Sequence, residues 1–341
     1  MKVKIIKTIS YIILFVMLFF SFQKSVFSLE VGVSTHIDSY SKEPDYYINL
    51  VKGIGVTSIR NDYWWSQLEV DNKKFNVSSK LKKSTELFSH LYNNDLSGLL
   101  VLGYGNKLYN NGDYPRTDKD IDNFLDYISW VVIRFKGNVK YYEIWNEWYQ
   151  GTSMERFSKH KPSDKQYLNL IKKVSDRIKI LDPGAIVLAG GFNPFDEKQN
   201  KWFSGLIEKG FLKYVDGVAI HPYSYYRGSK FRSASLNINE IDKFYNAYAN
   251  KGIEFQIYIT EIGVPNGLLV NSFSEKDSAN FVNEYIHEAS KKKYIKGIWF
   301  YDLLDDGQNP FNYEHNFGLF KYDGSMKDVS TLMRKNNKSW R

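Results

Sequence analysis

Val139-Lys-Tyr-Tyr-Glu-Ile-Trp-Asn-Glu147 and Phe255-Gln-Ile-Tyr-Ile-Thr-Glu261 are the two stretches on which the fold of this chain turns. Both are short runs of aliphatic, aromatic and β-branched residues without clean period-two alternation. That composition suits a parallel strand covered on both faces. Each run closes on a glutamate, and the two glutamates stand about three strand-plus-helix units apart at the spacing of the rest of the chain. Two carboxylates at strand ends are what cleavage of a glycosidic bond requires, one to deliver a proton and one to act as nucleophile or base.

The same alternation extends in both directions. Strand-like runs occupy 31–36, 56–60, 98–103, 139–146, 185–190, 215–221, 255–261 and 296–301. Between them lie amphipathic stretches at 44–54, 80–93, 117–136, 199–209 and 236–251, with a last helix near 325–335. Ser163 with Gln166 forms a capping-box pattern, followed by Tyr167, Leu170, Ile171, Val174, Ile178 and Leu181 at helical spacing and stopped by Pro183-Gly184. Ser274 with Asp277 opens another helix carrying Phe281, Val282, Tyr285 and Ile286. Eight strands alternating with eight helices predict an α/β protein of the (β/α)8 TIM-barrel type. No glycine-rich phosphate fingerprint follows the first strand, which argues against a dinucleotide fold. No linker or low-complexity stretch divides the chain, so one domain is expected.

The first residues read differently. Lys2, Lys4 and Lys7 precede an apolar run from Tyr11 to Phe20, followed by Val26-Phe27-Ser28. This predicts a signal peptide at 1–28, cleaved after Ser28, with a catalytic domain at 29–341. The product would be secreted or held at the cell surface, and membrane association is expected only if the segment stays uncleaved. Removing it takes four lysines and no acids, lowering the formal charge from +8 to +4. No arginine-rich cluster remains to mark a nucleic-acid footprint. The chain has no cysteine, hence neither disulfides nor thiol chemistry. A monomer without cofactor or metal is expected.

In barrels of this kind, active sites collect where strands hand over to their following loops. The predicted strand ends carry His36, Arg60-Asn61, Gly103-Tyr104-Gly105-Asn106, Asn146-Glu147, Gly190-Gly191-Phe192-Asn193, His221-Pro222-Tyr223, Glu261 and Trp299-Phe300-Tyr301. This set resembles glycoside hydrolase clan A, the (β/α)8 enzymes with catalytic glutamates on strands four and seven. Ile-Trp-Asn146-Glu147 matches the clan's acid preceded by asparagine, and Ile-Thr-Glu261 its nucleophile. His221-Pro-Tyr223 matches the strand-six motif, Trp299 the strand-eight aromatic, and Phe317-Gly-Leu-Phe-Lys-Tyr-Asp-Gly324 the loop after strand eight. The Glu-Ile-Trp-Asn-Glu-Trp form is most similar to family 39 and related enzymes acting on bacterial exopolysaccharides, with family 5 second.

The resemblance implies a retaining glycosidase, and physical chemistry supplies a reason for each part. Carboxyl groups about 5–5.5 Å apart favour a covalent glycosyl-enzyme. Glu147 would be the acid and then the base, and Glu261 the nucleophile, kept ionised by Arg60 with a further hydrogen bond from Tyr223. Asn146 suits the sugar 2-hydroxyl. Trp299 would floor the subsite of the reacting sugar, and His36 and His221 would bind hydroxyls or orient the carboxylates. Glu143, four residues before Glu147, would sit deeper as a structural charge. Trp64, Trp65, Tyr104, Tyr109, Trp148, Tyr149, Tyr225 and Tyr226 crowd the predicted loops, a line of rings suited to a polysaccharide. Asp302, Asp305, Asp306, Gln308 and Asn312 after strand eight would wall the cleft. Two other readings stand beside this one. One is a metal-dependent hydrolase using His36, Asp38, His221 and a glutamate; the other is a non-catalytic glycan-binding protein, which would not need both carboxylates.

Overall fold

The computed structural model describes residues 29–151 and 162–336, so the expected signal segment at 1–28 lies outside the described residues. Eight parallel strands close in sequence order into a barrel, β8 pairing back onto β1. They are β1 (Glu30–Ser34), β2 (Ser58–Trp64), β3 (Ser97–Gly103), β4 (Val139–Ile144), β5 (Ile186–Phe192), β6 (Gly217–Ile220), β7 (Ile257–Ile262) and β8 (Ile295–Phe300). One main helix follows each strand: α1 (Pro44–Gly53), α2 (Lys82–His90), α3 (Asp118–Phe135), α4 (Asp164–Leu181), α5 (Glu197–Glu208), α6 (Ala234–Ala249), α7 (Glu275–Ser290) and α8 (Asp328–Asn336). The expected barrel is therefore the observed one.

The helices begin where side chains can satisfy their free N–H groups. Ser163 and Gln166 form the anticipated capping box on α4, and Thr117 with Asp120 forms another on α3. Each helix then turns an apolar stripe inward; α3 buries Ile121, Phe124, Ile128, Val131 and Phe135. This stripe packing makes the large core between sheet and helices.

A second, smaller core fills the lower half of the barrel interior: Leu99, Val101, Tyr141, Leu188, Ala219, Tyr258 and Trp299. Trp299 is its largest member, fully buried, and donates from Nε1 to Ser58 Oγ at 3.0 Å. Glycine at position 32 makes the room, since a Cβ there would lie 2.2 Å from the indole. The expected sugar platform is thus a floor plug. The interior below the site is packed with side chains, so polar groups above it sit on a rigid base.

Candidate active site

A cavity of about 500 Å³ opens at the C-terminal ends of the strands, lined by groups from β1, β2 and β7 and from the segments that follow the strands. Its floor is an ionic layer. Arg60, 3% exposed on β2, spreads its guanidinium over three partners: Nε to Glu143 Oε2 at 3.0 Å, Nη1 to Glu261 Oε1 at 2.9 Å, and Nη2 to Asn146 Oδ1 at 3.1 Å. Only a planar fork of fixed donors can hold three acceptors in this way. Burial opposes the charge of Arg60, but Glu143 and Glu261 outweigh it and raise the pKa of the group further.

Glu143 is fully buried, as its place on the strand suggested. It accepts from Arg60 and from Thr260 Oγ1 at 3.0 Å, and it lies 3.8 Å from His221 Nε2. Burial would raise its pKa; the Arg60 charge beside it wins and holds the carboxyl below its usual range. It touches no part of the cavity surface and serves as the counter-charge under the site.

The turn after β4 explains how Asn146 and Glu147, adjacent in sequence, both reach the cavity. In a regular strand neighbours point to opposite faces. Here Trp145 has φ 64° and Glu147 φ 47°, and these left-handed residues flank Asn146. Such conformations cost of order 1–3 kcal/mol each and are characteristic of functional sites. Gly191, itself at φ +56°, permits the bend, because a Cβ there would lie 2.9 Å from the Glu147 amide nitrogen.

His221 links the two glutamates. Its Nδ1 is 3.0 Å from Glu147 Oε1 and 3.8 Å from Glu261 Oε2, and its Nε2 is 3.0 Å from Thr260 Oγ1. Since the Thr260 hydroxyl donates to Glu143, it accepts from His221, which assigns a proton to Nε2. Burial alone would lower the imidazole pKa; the Glu261 charge and the bonds to Glu143 and Glu147 override it and push it up to about 10. Tyr223 donates to Glu261 Oε2 at 3.2 Å. Carboxylate oxygens of Glu147 and Glu261 and a ring nitrogen of His221 all lie within 4.8 Å of one another.

Most of the residues expected at the site are brought together: Glu147, Glu261, Arg60, Asn146, His221, Tyr223, His36 and Tyr104 all line the cavity. Tyr104 is only 2% exposed and donates to Asp62 Oδ2 at 2.9 Å, so it shapes the wall more than it offers a surface. Two expectations are corrected. Trp299 lies below the ionic layer, and Tyr301, two residues on and on the same face, takes the place at the cavity. Trp148 is 2% exposed because the kink at Glu147 turns it back into the helix layer, where it packs on Tyr114 at 4.4 Å and Tyr167 at 4.9 Å. The line of loop rings is likewise mostly cover: Trp65 is 1% exposed and stacks on Tyr109, whereas Tyr225 and Tyr226 do line the cavity.

After β8 the expected wall is also redistributed. Asp305 is buried against Lys327 Nζ at 2.6 Å, Asn312 caps a 3-10 turn, and Glu314 faces the cavity instead. Asn193 lines the cavity as its strand-end place suggests, while Asp62, Gln150 and Glu314 join the lining without having been anticipated. Asp62 carried a readable signal, two residues beyond Arg60 on the same strand face. The others sit on loops that only the fold brings in.

Among the described residues, two groups of side chains have the donor types and spacing to hold a metal ion: Glu147, His221 and Glu261, and separately His36, Asp302 and Asp306. The set envisaged for a metal-dependent hydrolase is not assembled. Asp38 turns away to accept from the Ser84 amide at 3.0 Å, and His36 and His221 fall in different groups.

The closed barrel, with two glutamates at the ends of β4 and β7 above an ionic floor, defines the class: an O-glycoside hydrolase on a (β/α)8 scaffold. Residues 150–332 match the family described as glycosyl hydrolase catalytic core, and the chain belongs to that family. The fold is similar to a family 39 glycoside hydrolase from Bacteroides cellulosilyticus WH2 (TM-score 0.72, 22% identity), covering 90% of this chain and 63% of that one. It is also similar to a GH5_18 protein from Streptomyces cattleya in complex with Manb1-4GlcNAc (TM-score 0.73, 13% identity, 92% and 81% covered). A third likeness is to xylanase 10B from Thermotoga maritima (TM-score 0.65, 18% identity, 92% and 96% covered). No curated protein matches the chain.

Proposed function

We propose that this chain is a retaining glycosidase that cleaves within a polysaccharide, a bacterial exopolysaccharide or a plant-type glycan, with Glu147 as acid/base and Glu261 as nucleophile. One observation carries the reading: carboxylate oxygens of the two glutamates lie within 4.8 Å, while each has a different partner. A nearest-oxygen gap of that size is compatible with the carboxyl separation of about 5–5.5 Å that direct attack uses.

The partners divide the roles. Glu261 is gripped by Arg60 and Tyr223, an arrangement that fixes its carboxylate and aims it at the anomeric carbon. Glu147 meets His221 Nδ1, and the two can hold between them the proton that the leaving oxygen must receive. After glycosylation neutralises Glu261, Glu147 recovers that proton from the incoming water. Asn146, its oxygen taken by Arg60, has its N–H donors for the sugar 2-hydroxyl.

A polymer is favoured by the length of the groove. A second cavity of about 430 Å³ continues from the first, sharing Thr35, His36, Asn61 and Asp62 and running on to Trp64, Gln67 and Lys80. The solved relatives include a xylanase and a protein crystallised with Manb1-4GlcNAc, both glycan-related. Export is proposed from the amino-terminal sequence pattern.

The test is a panel of purified polysaccharides with product sizing. Internal cleavage gives a spread of oligosaccharides early in the reaction. Release of monosaccharide alone, or no hydrolysis of any glycan, would sink this reading.

A further inference from the structure

Asp302, just past β8, is fully buried, yet neither of its carboxylate oxygens has a hydrogen-bond partner among the described residues. A buried carboxylate without donors is costly, and native proteins keep one where a cation compensates. Lys327 is committed elsewhere, to Asp305 at 2.6 Å and Asn266 at 3.2 Å. What Asp302 faces is an imidazole and a second acid. Its Oδ2 lies 3.6 Å from His36 Nδ1, and Asp306 Oδ1 lies 2.8 Å from the same nitrogen. Asp62 and Glu314 add further negative charge around the ring. The three ligand-type atoms lie within 4.8 Å of one another, carried on the ends of β1 and β8, which pair directly where the barrel closes. The Leu303 amide donates to the Ser34 carbonyl at 2.9 Å and pins the two segments together.

We infer that His36 Nδ1, Asp302 and Asp306 form a binding site for one divalent ion of the zinc type, which anchors a sugar on the β1 side of the cavity. The anchoring role rests on the glycosidase reading above; the ion site does not. The distances suit the ion. Ligands about 2.0–2.1 Å from a tetrahedral zinc stand roughly 3.3 Å apart, and the separations of 2.8 and 3.6 Å bracket that value. One imidazole nitrogen and two carboxylates make a zinc-type donor set, whereas calcium takes about six to eight oxygens. Asp302 supplies the buried anion, while the His36 and Asp306 side chains, 38% and 25% exposed, bring the ion to the cleft surface. Three protein ligands leave a fourth position open. His36 lines the main cavity, so that position is within reach of a sugar hydroxyl. Burial pushes the Asp302 carboxyl up against the opposing His36 charge. A dication that ligates the carboxylate directly reverses that balance. The cleavage chemistry stays with Glu147 and Glu261, which belong to the other group.

The binding arm needs no substrate. Protein stripped with a chelator is titrated with zinc chloride by calorimetry, and its melting temperature is followed with and without the ion. The wild type should take up one equivalent and melt at a higher temperature when loaded. Asp302→Asn and the partly exposed His36→Gln should each weaken binding by about 100-fold or more, since even groups behind a ligand are worth about 10–100-fold. If Asp302→Asn does not fold, His36→Gln decides. His221→Gln, in the other group, should bind zinc like the wild type. No uptake by the stripped wild type would overturn the inference and leave a proton on His36 as the counter-charge. Undiminished binding by folded Asp302→Asn or His36→Gln, or binding lost in His221→Gln, would overturn it as well.

The kinetic arm uses a glycan cleaved in the polysaccharide panel. Stripping the zinc should raise KM by about 10-fold, the worth of one polar contact to a charge, and restoring it should reverse the change. The value of kcat should move little, because the two glutamates are untouched. An unchanged KM would overturn the anchoring role. A collapse of kcat would place the ion in the chemistry and overturn that role too. Failure of the glycosidase reading would show separately, as no hydrolysis by a wild type that still binds zinc.

Discussion

Arg60→Lys is the substitution that most sharply tests how the ionic floor works. Arginine satisfies Glu143, Glu261 and Asn146 at once, at 3.0, 2.9 and 3.1 Å, through three different nitrogens. A lysine ammonium keeps the charge but is a single point that cannot span all three. Glu143 is fully buried and Glu261 is 8% exposed, so the ammonium should settle on the acid that water cannot reach. Glu261 then loses one charge-assisted hydrogen bond, worth about 1.5–3 kcal/mol, or roughly 10- to 150-fold in rate. The loss should fall on kcat more than on KM, because the nucleophile is misplaced while the sugar contacts remain. Removing the charge altogether, as in Arg60→Met, would strand two buried carboxylates at a cost of about 3–5 kcal/mol and confound activity with folding. The assay is kcat and KM on the identified glycan alongside a thermal melt. A folded Arg60→Lys protein with wild-type kcat would refute the claim that the fork aims Glu261.

Further outcomes follow from the same geometry. Glu147→Gln should spare aryl glycosides with good leaving groups but lose polysaccharide turnover, while Glu261→Gln should lose both; comparing rates on the two substrate types checks this. Trp299→Ala should lower thermal stability by about 3–5 kcal/mol while leaving KM unchanged, and Tyr301→Ala should raise KM with little change in melting. Gly191→Ala should cut kcat and lower the melting temperature together, since a Cβ at φ +56° is strained and would push on the Glu147 amide. The His221 pKa is raised from 6.5 to about 10, so its contribution to stability is complete below about pH 6.5 and is lost as pH rises toward 10. Melting temperatures across that window should fall in the wild type and flatten in His221→Gln.

The barrel and the glutamate pair were legible because both are written in short-range patterns: apolar runs, caps and strand-terminal acids recur at regular intervals. Arg60, His221 and Tyr223 were legible for the same reason. The depth of a side chain along a strand was not. Trp299 and Tyr301 share a face, and which of them reaches the cavity depends on strand tilt and on the glycine opposite, Gly32, whose contact with Trp299 spans the closure of the barrel. The direction of Trp148 follows from the left-handed turn at Glu147, a conformation that no local residue preference signals. Asp302 was expected at the wall as a substrate contact. Its burial beneath His36 depends on a pairing between the first and last strands.

The most direct test of the central claim is proton NMR of the first product formed, recorded before mutarotation, with the identified glycan as substrate. Carboxylates this close predict that the new reducing end keeps the anomeric configuration of the bond cleaved. An inverted first product would contradict the account.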